Sequence, residues 1–344
     1  MTPPQNKPEG DSAETVVLRA TRVRRVRSYL PAVLGGILVV AVLATGWAVW
    51  RWDNAPSVPA TGTGVAQTAA MPLPLASPPE ILADSATGDA IFALKANPHV
   101  VVIDFATLHH QAEAFNRMAV LVEKIGEPHD RVLNDADLAA AIRGSGDRPE
   151  TYYYGHDYSA GDVSRFFALA RRDKVTLTDE ERRLAALARQ QGWLGADGSE
   201  PAAAAGAGAV GAGTVGAVIS LPRPDPAAGV DAAMRATILR HEMAHGEYFT
   251  NPVYAAYVAH FWRDTMTADD RDLFRAFLSR NGYDPALEDL MRNEMQAYLV
   301  HTRDPHFFGA AALGVTEAHL AAMQAAFMAG MPPGWLRDSV PVLQ

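Results

Sequence analysis

The 344-residue sequence contains no cysteine. Disulfide bonds, thiolate metal ligands and cysteine nucleophiles are therefore excluded together. The compartment stays open, because an oxidising space permits disulfides without requiring them. Positive charge is also scarce: 39 acidic residues outnumber 30 basic ones, and the formal net charge is −9. Because nucleic-acid binding usually needs a basic surface, we expect no nucleic-acid partner.

Charge is missing altogether from one stretch near the N-terminus. No residue between Leu30 and Trp50 is charged, and about 20 apolar residues suffice for a helix to cross a bilayer. An arginine cluster precedes the stretch and tryptophans end it, as expected at membrane interfaces: Arg24, Arg25, Arg27, Trp47, Trp50 and Trp52. We therefore predict a single-pass membrane protein with a cytoplasmic tail (1–28), an anchor (29–52) and a soluble part on the outer, periplasmic side. A cleaved signal peptide is the alternative, but both the apolar run and the segment before it are long for one.

Composition divides the rest of the chain. Residues 53–79 are rich in Pro, Ala and Thr and predict an extended linker. Residues 80–200 predict a helical α/β part, with a strand over 99–105, helices over 106–124, 135–143 and 160–172, and another from Thr178 to about Gln191. Residues 201–214 predict an Ala/Gly-rich loop, and residues 215–344 predict a strand over 215–221 that is followed almost entirely by helices. The predicted fold class is α+β, mainly helical, with a small sheet.

The motif His241-Glu-Met-Ala-His245 carries the strongest chemical signal. Asp231 can cap its helix and Asn251-Pro252 can end it. Histidines four residues apart on a helix share one face and can hold a single metal ion. Glu242 follows the first histidine, where it can reach a metal-bound water as general base. Two histidines on a helix can also be merely buried and hydrogen-bonded.

A catalytic zinc site needs a third protein ligand, and Glu294 is the favoured one. It lies on a predicted helix over 285–302, on a mostly apolar face, where a carboxylate is costly unless it is paired or bound to a metal. Asp264 is a competing ligand, and His260 is a weaker one. Tyr298 and His301, one and two turns past Glu294, are candidates for stabilising an oxyanion, although ordinary packing would also explain them.

HEMAH followed by Asn293-Glu294 on a later helix resembles the gluzincin branch of the zincin metallopeptidases, the thermolysin-like group. The resemblance covers residues 215–301. It implies a zincin-like catalytic part in which His241, His245 and Glu294 bind Zn²⁺ and Glu242 is the general base. The sequence departs from that pattern twice: Tyr298 replaces an expected Asp, and Glu247 replaces an expected apolar residue. Asp264 stands near where aminopeptidase-like members place their glutamate.

The predicted function is that of a membrane-anchored zinc metallopeptidase acting on a peptide or protein substrate. The strand over 215–221 precedes the zinc helix, where zincins place the strand that pairs with an extended substrate. The cluster His156-Asp157-Tyr158 is interpreted as a hydrogen-bonded turn, with a role near the active site as the alternative. Two other functions stay open. One is a zinc-binding assembly protein without catalysis, and the other is an amidase acting on cell-wall peptides.

Overall fold

A computed structural model of the protein describes residues 72–195 and 215–339. The predicted tail, anchor and most of the linker lie outside these ranges, and so does the Ala/Gly-rich loop. Within the two described ranges, no helix is both long and apolar enough to cross a membrane.

One five-stranded mixed sheet lies at the centre, with strand order β1-β2-β3-β5-β4. The central strands β3 and β5 are parallel, whereas β2 pairs antiparallel with β3 and β4 pairs antiparallel with β5. From Val100 onward in β3 and throughout β5 every residue is buried, which is why these strands are mostly apolar; the buried polar exceptions are Asp104 and Ser220. The strand bounds are β1 Leu75–Ala76, β2 Ala90–Leu94, β3 Asn97–Phe105, β4 His156–Ser159 and β5 Ala217–Pro222.

Helices make up most of the remaining described chain, which confirms a mainly helical α+β fold. A 3₁₀ turn spans Pro149–Thr151, and π-helical turns span Phe261–Thr265 and Ala297–His301. The helices are α1 Pro78–Leu82, α2 Leu108–Val122, α3 Asp135–Ser145, α4 Ala160–Arg172, α5 Asp179–Gln190, α6 Ala232–Thr250, α7 Pro252–His260, α8 Ala268–Arg280, α9 Glu288–Gln296, α10 Ala310–Leu313, α11 Glu317–Gly330 and α12 Trp335–Ser339.

The structure differs from the sequence-based expectation at several places. Residues 75–79 belong to β1 and α1 rather than to a linker, because Ala93 and Lys95 of the β2 region donate backbone hydrogen bonds to Pro74 and Ala76. β2 itself was not expected. The predicted helix over 285–302 begins at Glu288 and changes to a π-helical turn at its end. The cap at Asp231 is confirmed, since its carboxylate accepts a hydrogen bond from the Met234 amide at 2.8 Å.

Alternating residues of β3 divide the core between the two faces of the sheet. Val101, Ile103 and Phe105 pack against α2, α4 and α5, whereas Val100 and Val102 face the helices of the second half. The central helix of that second layer is α6, which crosses β3 closely at Gly246. A Cβ at Gly246 would lie 2.8 Å from Cγ1 of Val100. Since α6 is covered on nearly all sides, the histidines it carries are held inside the protein.

Glu247, the departure from the zincin pattern, ties α6 to two distant segments. Its buried carboxylate accepts hydrogen bonds from the Asn97 amide at 3.2 Å and from the Trp335 indole at 2.5 Å. The Asn251 amide donates a third at 2.7 Å. A buried carboxylate is tolerated when its oxygens are hydrogen-bonded. Glu247 therefore has a structural role, joining α6 to the β2–β3 turn and to α12.

Replacing Glu247 with Ala should lower the free energy of unfolding by roughly 3 kcal/mol, because three part-buried donors each lose a hydrogen bond to a carboxylate. Chemical denaturation measures the change. Trp335→Phe removes a single donor and serves as the comparison, with a smaller expected loss. Equal stability of Glu247→Ala and the natural protein would contradict this role.

Candidate metal centre

Three buried side chains from α6 and α9 converge on one point. Nε2 of His241 and Nε2 of His245 are 3.0 Å apart, and each lies 3.7 Å from a carboxylate oxygen of Glu294. All three side chains are at most 3% exposed. Ligands held about 2.1 Å from a tetrahedral zinc ion are about 3.4 Å apart. The spacing therefore fits a single metal ion, and the group could hold one.

Hydrogen bonds to the opposite ring nitrogens fix how both imidazoles are protonated. Thr302 donates its hydroxyl to the Ala297 carbonyl at 3.0 Å, so its oxygen accepts from Nδ1 of His241 at 2.7 Å. Oδ1 of Asn293 accepts from Nδ1 of His245 at 2.9 Å. With the protons on Nδ1, both Nε2 atoms present lone pairs toward each other. Two lone pairs at 3.0 Å repel unless a cation lies between them.

The π-helical turn Ala297–His301 explains how Thr302 reaches His241. A π turn inserts an extra residue into the helix and shifts every residue after it. Thr302 is thereby brought to His241, where its hydroxyl oxygen accepts the hydrogen bond from Nδ1. Asn293 orients His245 in the same way, next to Glu294.

Glu242 is buried at the side of this centre, toward β4. One of its carboxylate oxygens, an imidazole nitrogen of His245 and a carboxylate oxygen of Asp157 lie within 4.8 Å of one another. Gly155 allows this position, since a Cβ there would be only 2.1 Å from Oε1 of Glu242. Oε2 of Glu242 has no hydrogen-bond partner among the described residues. These three residues form a second group that could hold a metal ion, and it shares His245 with the first.

Carboxylates crowd the centre beyond the ligand group. Burial raises the pKa of Glu294 to about 7 and that of Glu123 to about 8, and it also raises the pKa of Asp157 and of Glu242. Repulsion from neighbouring carboxylates adds to the rise in pKa at Glu123, Asp157 and Glu242. Burial lowers the pKa of His241 to about 3 and that of His245 to about 4. Neutral imidazoles among several acidic groups are what a divalent cation requires.

The two predicted oxyanion donors occupy different positions. Tyr298 lies at the centre, with its ring 4.7 Å from that of His241. The hydroxyl of Tyr298 has no hydrogen-bond partner among the described residues, and Tyr283 opposes the rise in the pKa of Glu294. His301 lies further back, with Nε2 at 3.4 Å from the hydroxyl of Tyr254, and it belongs to neither metal-capable group found in the described ranges. Their catalytic roles stay predictions.

The competing ligands Asp264 and His260 lie away from the histidine pair. Asp264 is 40% exposed and pairs with Nδ1 of His260 at 2.7 Å and with Arg263 at 2.5 Å. Both belong to the surface of α7 and its π-helical extension, and neither joins a metal-capable group in the described part of the chain. Solvent and neighbouring charges already stabilise both side chains where they lie. The geometry therefore favours Glu294 as the third ligand.

Sequence reasoning missed several residues of the centre. No sequence spacing marks Thr302, Gly155 or Tyr283 as part of the site. Thr302 reaches it through the π-helical turn, Gly155 lies in a loop before β4, and Tyr283 lies where the chain reverses after α8. Asp157 belongs to the cluster His156-Asp157-Tyr158, which was interpreted as a turn within a possible strand and turn over 151–158, and which lies in β4. The signal in the sequence for a role of Asp157 was its position directly after a histidine in a short segment with the pattern of a strand.

The support for this centre is its own geometry. Comparisons of the chain with protein-family models, with curated proteins and with solved structures found no match. The resemblance to the gluzincins, the zincin-like arrangement and the identity of the metal therefore stay predictions.

Replacing Glu294 with Gln should weaken metal binding by at least about tenfold, because it removes an anionic ligand. Asp264→Asn is the matched control and should bind metal normally. Elemental analysis and competition with a chromophoric chelator give stoichiometry and affinity. Loss of metal from the Asp264 variant alone would reverse the ligand assignment.

Metal affinity should rise with pH and level off above pH 7. In the metal-free protein Glu294 keeps its proton up to a pKa of about 7, and the metal must displace it. The histidines do not compete above pH 5, since their pKa values are about 3 and 4. Calorimetry in two buffers of different ionisation enthalpy should show at least one proton released at pH 6. Affinity that is independent of pH would refute this assignment.

Proposed function

We propose that the protein is a membrane-anchored zinc metallohydrolase that cleaves amide bonds, and specifically a peptidase. The observation that carries the proposal is the pair of unprotonated Nε2 atoms facing Glu294, with Glu242 beside them. Two imidazoles and one carboxylate form a ligand set typical of catalytic zinc, which keeps a position open for water. The anchor over 29–52 would hold this domain on the outer side of the membrane.

Glu242 has the position and chemistry of a general base. Bound zinc would lower the pKa of its water to near 7 and polarise a carbonyl group. Oε2 of Glu242, which has no partner among the described residues, can accept the proton of that water. The same oxygen can then deliver the proton to the leaving amine. Asn293 and Thr302 meanwhile keep both imidazoles in the tautomer that the ligand role requires.

The edge of the sheet beside Glu242 supports the proposal that the substrate is an extended peptide. The strand expected to pair with substrate, β5, has β3 on one side and β4 on the other, so that expectation is wrong. β4 is the edge strand, and its outer side is unpaired within the described residues. Its Asp157 is 13% exposed, more than either histidine or Glu294. A peptide adding to the edge of β4 would pass next to Glu242.

A structural metal site is the second candidate, and burial is the observation that favours it. The ligand side chains are almost completely covered, whereas catalysis needs a path for substrate. In that case the protein would be a membrane-tethered binding or assembly protein. An amidase acting on cell-wall peptides would use the same chemistry as the peptidase.

Replacing Glu242 with Gln should leave metal binding intact and lower peptide hydrolysis by a hundredfold or more, in keeping with loss of a general base. The assay is cleavage of a broad peptide library, with and without chelator, read by mass spectrometry. Unchanged hydrolysis by the variant would remove Glu242 from the mechanism. A natural protein that binds metal and cleaves nothing would favour the structural role.

Gly155→Ala should also abolish hydrolysis while keeping the metal. The new Cβ meets the flexible end of Glu242 at 2.1 Å, so the carboxylate has to move away. Gly161→Ala is the matched control, because its nearest neighbour is Oγ of Ser159 at 3.5 Å. Full activity in the Gly155 variant would mean that the position of Glu242 does not matter.

A further inference from the structure

Asp157 is a part-buried carboxylate without a basic partner in the described chain. Elsewhere in the fold, Asp104 pairs with Arg235 at 2.8 Å. Glu181 likewise pairs with Arg117 at 2.6 Å. The side chain of Asp157 is only 13% exposed, yet no lysine or arginine of the described residues lies within ion-pair distance of it. A carboxylate with little access to water needs a counter-charge or hydrogen-bond donors, so its partner has to come from outside these residues.

His245 does not supply that partner. Its Nδ1 lies 3.6 Å from Oδ1 of Asp157, which is too long for a hydrogen bond, and it already donates its proton to Asn293 at 2.9 Å. Its Nε2 faces the metal centre. The imidazole therefore offers Asp157 neither a proton nor a lone pair. The group with Glu242 that could hold an ion is thereby reduced to two carboxylates.

Glu242 is the second carboxylate at this place whose charge is unpaired. It is 3% exposed, and its Oε2 has no hydrogen-bond partner among the described residues. One of its oxygens lies within 4.8 Å of an oxygen of Asp157, and like charges this close repel each other unless positive charge lies nearby. A divalent ion in the metal centre would be offset by Glu294 and Glu242 together. The charge of Asp157 would therefore still lack a partner with the metal bound.

The edge strand β4 places Asp157 where a bound peptide would pass. The ring of Tyr158 lies 5.5 Å from that of Phe115 in α2, whereas Gly155 and Asp157 both face α6. A peptide paired with the outer side of β4 would have one residue opposite Gly155, beside Glu242, and another opposite Asp157 two positions along. Residues directly opposite each other in antiparallel strands have Cβ atoms about 5 Å apart. A positively charged group at the second position would thus reach the carboxylate of Asp157.

We propose that Asp157 pairs with a cationic group of the substrate, two residues along the peptide from the position beside Glu242. The inference rests on the proposed peptidase function and names its substrate class. The cation is a lysine or arginine side chain, or a free amino terminus, close to the cleaved bond. These groups share one chemistry, because each donates charge-assisted hydrogen bonds to a carboxylate. Asp157 then selects the substrate, and Glu242 is left to accept the proton of the water.

Peptides that differ only in charge provide the first test, on the full-length protein loaded with zinc. Peptides blocked at both ends and containing arginine should be cleaved with a kcat/KM about tenfold or more above that of the same peptides with citrulline, which has a similar shape and no charge. A second pair compares free with acetylated amino termini, so the pair that shows the preference identifies the source of the cation. Cleavage without a preference in either pair would overturn this inference alone. No cleavage of any peptide would overturn the proposed function and this inference with it.

Variants provide the second test. Asp157→Asn should lower kcat/KM about tenfold for the charged peptides, leave it unchanged for the neutral ones and keep the metal content of the natural protein. Asp264→Asn is the matched control, because it removes the same charge at the surface away from β4, and it should keep the preference. Three outcomes would overturn the proposal: a preference that survives in Asp157→Asn, an equal fall with charged and neutral peptides, or loss of metal from that variant.

Discussion

The ε nitrogens of His241 and His245 lie 3.0 Å apart, and the rest of the site is organised around the repulsion of their lone pairs. Asn293 and Thr302 hold the protons on the far side of each ring, so no change of tautomer relieves it. Glu294 brings negative charge to the same point. A single cation satisfies all three groups, whereas a site without one keeps facing lone pairs and a buried carboxylate at a cost in stability.

The packing of α6 holds this arrangement in place despite its cost in stability. The helix lies across the inner strands of the sheet, is covered by α7, α9 and α12, and is fixed by Glu247 at its C-terminal half. Rigid placement of this kind prevents the two histidines from turning apart. It also excludes water, and exclusion of water is what raises the pKa of every neighbouring carboxyl group.

The sequence predicted the local features well and the non-local ones poorly. The spacing of His241 and His245 indicated a shared helical face, and the cost of a carboxylate on an apolar face indicated Glu294; both follow from helix geometry, which is local. The position of β4 beside Glu242 depends on sheet order, which no local pattern encodes. Thr302 could not be placed because a regular helix from 285 to 302 gives no sign of the π turn that redirects it. The structural role of Glu247, which departs from the zincin pattern, could not be predicted. The three groups that donate hydrogen bonds to its carboxylate lie far apart in the sequence or beyond the end of the helix.

The ligands come from two helices that are separated in the chain by α7 and α8. A bound ion would therefore fasten α6 directly to α9 and close the intervening helical excursion into a loop. Loop closure removes freedom from the unfolded chain, and an ion bound only by the folded state adds its own binding free energy. The segment from Pro252 to Arg280 would then be the part of the protein that gains most resistance to proteolysis from the ion, even though it contributes no ligand.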